Sequence, residues 1–183
     1  MKKLILIALF VPCFSFAQRF EISEQAGYST TTGLNNNWPA MNGFSNQVAV
    51  GYRCLRHFSV SAYYQFNSWN DHNNVYGISP DFVTKHFYAG LDLQMVTLAF
   101  VPIPLAFPVE SYHFNTSWGY GIHIGAKQKI IKRLYAVMQI GYDIDNVSYT
   151  TASNTGGPPI DSHEKNTETL NIWYLRAGLS YRL

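Results

Sequence analysis

The side chains able to do chemistry are few, and most of them recur at alternate positions. Asp92, Asp143 and Arg176 fall on the same kind of position as His86, His123, Gln65 and Gln139, alternating with apolar residues along their segments. Carboxylates, a guanidinium, imidazoles and carboxamides on one face spell a network of ion pairs and hydrogen bonds, because charge removed from water must be paired. Arg176 is expected to take one of the carboxylates. A nucleophilic hydroxyl needs a base and an orienting acid, which leaves Ser117 near His113, or Ser162 with His163 and Glu164. The first pair lies beside a poorly defined strand and the second in a long polar segment, so no catalytic residue is assigned. His72, His113 and His163 come from separate segments without the close spacing of metal ligands, so neither metal nor cofactor is expected. Cys54, beside Arg53 and Arg56, reads as an incidental thiol. Lys127, Lys129, Lys132 and Arg133 read as a solvated basic turn, with phosphate headgroups as a compatible contact.

These residues are positioned by strands. Lys2 and Lys3 precede an apolar stretch from Leu4 to Val11, and Ser15 and Ala17 stand at the −3 and −1 positions of a small-residue cleavage site. Residues 1–17 therefore read as a secretory signal and 18–183 as one exported domain. The two lysines account for the excess of 13 Lys+Arg over 11 Asp+Glu, so the exported chain is near neutral and a nucleic-acid partner is excluded. Cys54 alone survives cleavage, and no disulfide can form within the chain. Aromatic residues reach 16% against 13% charged, too little charge to coat a soluble domain. The longest apolar run, Leu91 to Phe107, is broken by Asp92, Gln94, Pro102 and Pro104, so no membrane helix is available. A membrane protein without helices must be a closed barrel, the other structure that pairs all its backbone groups.

Period-two alternation runs through segment after segment. Trp118, Tyr120, Ile122 and Ile124 oppose Gly119, Gly121, His123 and Gly125. Leu134, Ala136, Met138, Ile140 and Tyr142 oppose Tyr135, Val137, Gln139, Gly141 and Asp143. The polar faces carry Gly51, Gly90, Gly119, Gly121, Gly125, Gly141 and Gly178 in place of the Thr, Lys and Glu of a watered sheet. Glycine weakens a strand unless crowding demands it, and the interior of a small barrel is crowded. The apolar face is thus assigned to lipid; the opposite assignment is a soluble lipocalin-like carrier. Seven strands are legible, near 19–30, 43–53, 58–69, 83–94, 115–126, 134–149 and 168–183, separated by loops at Thr31–Asn42, Asn70–Asp81 and Thr150–Thr167. Termini on one side require an even count, so an eighth strand is placed at Met95–Phe107 despite Pro102 and Pro104. On the first strand Glu24 shares the apolar face with Phe20, Ile22, Ala26 and Tyr28. A bulge turning it inward would remove that cost; otherwise the register is wrong.

The signal, the alternation and the ending YLRAGLSYRL together resemble the small outer-membrane barrel superfamily of outer-membrane proteins A and X. Leu179, Tyr181 and Leu183 resemble the terminal signal of that superfamily, although its usual last residue is Phe or Trp. GYRCLRHFSVSAYYQF and IGAKQKIIKRLYAVMQIGY resemble its hairpins. The resemblance implies an all-β, transmembrane, up-and-down antiparallel barrel of eight strands in the bacterial outer membrane. It also implies outer-membrane lipids and lipopolysaccharide as surroundings and the barrel-assembly machinery as a partner. No single activity follows. A structural or surface-interaction role with a plugged lumen is expected, with a lipid-modifying enzyme as the alternative.

Overall fold

The computed structural model describes residues 19–32, 42–69, 71–98, 111–152 and 163–183. The signal segment, Asn35 to Trp38 of the expected loop Thr31–Asn42, Pro102, Pro104 and Ser162 lie outside them. Eight strands follow one another: β1 (Phe20–Thr32), β2 (Asn42–Leu55), β3 (Phe58–Trp69), β4 (Asp71–Val83), β5 (Phe87–Leu98), β6 (Ser111–Ile131), β7 (Leu134–Ala152) and β8 (His163–Arg182). Each pairs antiparallel with the next, and β1 closes the sheet on β8. A line drawn across the ladder from Phe20 passes Tyr52, Val60 and Pro80, then Leu91, Ile122, Tyr142 and Trp173, and returns to β1 at Thr30. That offset tilts the strands by about 40° and leaves an interior that side chains can fill.

The eighth strand is not where the sequence placed it. The expected loop Asn70–Asp81 is instead nearly all strand, within β4 (Asp71–Val83), and Met95 to Leu98 simply end β5. β4 misleads because Asn, Gly, Ser, Pro and Asp fill it, yet its alternation is intact: Tyr76, Ile78 and Phe82 face out, while Val75, Ser79 and Asp81 are buried. Pro80 deletes a donor to the ladder. The register carried from Ile78↔Leu93 to Asp81↔Gly90 sets Pro80 opposite Leu91, and the Ser79 hydroxyl donates to the Leu91 carbonyl at 3.1 Å.

Apolar side chains cover the outside in a belt between two aromatic bands. Phe20, Phe58, Phe82, Phe87 and Tyr181 form the band near the chain termini; Tyr28, Phe44, Tyr76, Tyr120 and Trp173 form the other. This is the exterior of a barrel that crosses hydrocarbon and the inverse of a soluble carrier. Glu24 departs from the expectation set by its cost. β1 has no bulge against β2 or β8, and Glu24, paired with Val48 and Leu179, is exposed on the belt.

The inward glycines make room for neighbours across the ladder. Tyr63 lies over Gly77, Tyr88 over Gly125 and Tyr174 over Gly141, while Asp81, Asp143 and Asp145 lie over Gly90, Gly121 and Gly119. A Cβ at Gly141 would enter the Tyr174 ring. Gly141→Val should therefore cost about 1–3 kcal/mol by overpacking, read as a lower urea midpoint in lipid vesicles; an unchanged midpoint would mean that the ring moves away freely.

Candidate functional site

The polar faces of the strands meet in the lumen and are joined across it, between strands that are not neighbours. Arg176 on β8 is 1% exposed and is held by neutral groups. Its Nε donates to Ser45 Oγ at 3.1 Å, and its terminal nitrogens donate to Gln47 Oε1 at 2.7 Å and Gln65 Oε1 at 2.6 Å. The guanidinium also stacks 3.7 Å from the centre of the Tyr174 ring. The expected ion pair is absent: among the described residues no carboxylate lies within 4.0 Å of Arg176. Gln65 passes the chain on, donating from Nε2 to Asn67 at 2.9 Å.

A second cluster surrounds His123 on β6. Its Nδ1 lies 2.8 Å from Asp92 Oδ2 and its Nε2 lies 3.0 Å from Asp81 Oδ1. Each ring nitrogen faces a carboxylate oxygen, so the three groups need a proton on both nitrogens or on one carboxylate. Asp81 also accepts from Ser79 at 3.0 Å and Ser61 at 3.4 Å. From the other side, Tyr88 donates to Gln139 at 3.2 Å, Gln139 to the Tyr174 hydroxyl at 3.2 Å, and Tyr174 to Asp92 at 3.3 Å. A third bridge runs from Tyr63 on β3 to Gln94 on β5 and on to Asp145 on β7, each step 2.7 Å. Asp143, 2% exposed, lies against this bridge.

Gln65, Asp92, His123, Gln139, Asp143 and Arg176 thus stand together in the lumen, and His86 does not. It sits in the β4–β5 turn, exposed, and contributes its carbonyl to Lys127 N at 2.7 Å. Counting by twos from β5 carried it inward, but the strand begins only at Phe87. Tyr63, Gln94, Asp145 and Tyr174 join the network as well; alternation alone places all four on the polar faces, but the expected network does not include them. Asp81 falls in the expected loop Asn70–Asp81, which the structure makes part of β4. Lys127, read as part of a solvated turn, is buried; β6 runs on to Ile131, and Lys127 pairs with Glu21 on β1.

The alternative sites fare differently. Ser117 Oγ is spent on the backbone at a bulge, donating to the Asn115 carbonyl at 3.1 Å and accepting from Ser148 N at 3.0 Å. The side chains of His72, His113, His163 and Glu164 are outside the described set, and no metal-binding cluster occurs among the described residues.

No family model matches the chain, and no curated protein matches it. Solved structures do. Neisserial surface protein A aligns over 90% of this chain and 97% of its own, with a TM-score of 0.58 at 16% identity. Outer membrane protein OprG from Pseudomonas aeruginosa aligns over 91% and 97%, with a TM-score of 0.59 at 10% identity. Outer membrane protein AlkL, solved in DMPC bilayers, covers 91% of each chain with a TM-score of 0.55 at 11% identity. The chain has the fold of the small outer-membrane β-barrels. A closed barrel with this belt is built for an outer membrane, and barrels of that kind carry short turns on the periplasmic side and long loops outside.

Within that outer-membrane barrel frame the lumen has two zones. The half toward the loops is filled by Arg176, Gln65, Gln94, Tyr174 and the buried Leu170 and Ile172. Toward the periplasm, among the described residues, lie small cavities of about 70 Å³ beside His123 and Asp92 and about 60 Å³ beside Glu21 and Arg53. Space of this size holds waters.

Proposed function

We propose that the protein is a non-conducting outer-membrane barrel whose role is structural or lies in contacts made by its extracellular loops. The observation that carries this reading is the bonding of Arg176 from β8 to β2 and β3, which crosses the lumen with a side chain 1% exposed. A solute would have to break these bonds and those of Gln94 to pass. The spent hydroxyl of Ser117 favours a non-enzymatic role over a lipid-acting one. Lipopolysaccharide and the other outer-membrane lipids are the proposed surroundings of the belt. Leu179, Tyr181 and Leu183, all facing outward at the end of β8, are proposed as the signal for the barrel-assembly machinery. Planar-bilayer recordings test the lumen: the purified protein should show no stable conductance steps. Regular steps of porin size would overturn the proposal.

A further inference from the structure

The periplasmic mouth carries more positive charge than its carboxylates neutralise. Arg53 on β2, Lys127 on β6 and Arg182 on β8 converge with Arg19 on the cavity of about 60 Å³. Glu21 is the carboxylate among them, and it is shared: Lys127 pairs with one oxygen, which Ser180 also contacts, and Arg182 stands 3.7 Å from the other. Asp81, at the inner wall, is already engaged by His123, Ser61 and Ser79. Arg53 is left with no hydrogen bond or ion pair to a side chain among the described residues, although it is only half-exposed. The aromatic face of Tyr135 supports the arrangement from β7, with Lys127 4.9 Å and Arg182 5.0 Å from its centre.

A guanidinium with no carboxylate at ion-pair distance among the described residues, lining a small cavity whose walls hold three further cations, is the donor set of an oxyanion site. Guanidinium forks match tetrahedral oxyanions, and low-dielectric walls with one sign of surplus charge concentrate the opposite ion. The hydroxyl of Ser59 on the same wall supplies a neutral donor. A metal cation is disfavoured by the same count of charges. We infer that the periplasmic mouth binds a phosphate-class oxyanion between Arg53, Arg182 and Lys127, a function distinct from any contact made by the loops.

Calorimetric titration of inorganic phosphate into the folded barrel in dodecyl maltoside, with ionic strength held by chloride, tests this. Saturable binding is expected, weakened about tenfold by Arg53→Gln, with heat-modifiable migration on a gel confirming that the variant folds. Arg182→Gln provides the same reading should Arg53→Gln fail to fold. Mixed micelles containing phosphatidylglycerol separate the sources of the phosphate. Displacement of free phosphate by that lipid in the wild type, and not in the variant, identifies a lipid headgroup as the occupant; no displacement identifies a soluble anion. Absence of saturable phosphate binding above the chloride control, or equal affinity in wild type and Arg53→Gln, overturns the site.

Discussion

Arg176→Ala is expected to lower the stability of the barrel by about 3–5 kcal/mol, since three hydrogen bonds from a charged donor are lost and their buried neutral acceptors are left unpaired. The side chain is the common donor of Ser45, Gln47 and Gln65, so its loss strands acceptors on two other strands at once. It also leaves a void beside Tyr174, whose ring loses the stacked guanidinium. Arg176→Lys should recover only part of the loss, since one ammonium cannot reach the fork of acceptors that a guanidinium spans. Ser45→Ala should cost only about 1 kcal/mol. Urea unfolding in vesicles, followed by tryptophan fluorescence, measures all three. An Arg176→Ala midpoint equal to wild type would show that the bonds across the lumen contribute nothing, and the reading of a plug held by Arg176 would fall with it.

The fold was legible wherever side chains alternate strongly, because a barrel wall separates lipid from lumen residue by residue. β6 and β7 carry that signal in Ile122, Ile124, Met138 and Ile140 outside and Gly121, His123, Gln139 and Gly141 inside. β4 was illegible because its turn-forming residues are explained only by neighbours: Gly77 lies under Tyr63, and the carbonyl opposite Pro80 is rescued by Ser79. Both compensations come from contacts that no local reading contains. The site divides in the same way. Alternation identified which polar groups share the lumen, since inward facing is a property of one strand. It did not identify who bonds whom, since that depends on the stagger around the ring, which brings Arg176 to the carboxamides of Gln47 and Gln65 rather than to Asp143.

Glu24→Leu is expected to do the reverse of Arg176→Ala and stabilise the barrel, by about 1–3 kcal/mol when the belt is in lipid. Phe20 and Tyr28 on the same strand mark the two aromatic bands, and Glu24 lies midway between them, with Val48 and Leu179 on either side. An acidic side chain at that depth is costly, and the cost is met by thinned bilayer or drawn-in water. The comparison with Glu24→Gln separates charge from polarity: most of the gain should come with glutamine if charge is what costs, and only with leucine if hydrogen-bonding capacity is. The gain should shrink in vesicles of short-chain lipid, where the thinner core brings the headgroups nearer to Glu24. Unfolding midpoints in long- and short-chain vesicles measure this. A Glu24→Leu protein no more stable than wild type in the thicker bilayer would show that the carboxylate is sheltered from hydrocarbon, and the placement of Glu24 on the lipid belt of β1 would have to be abandoned.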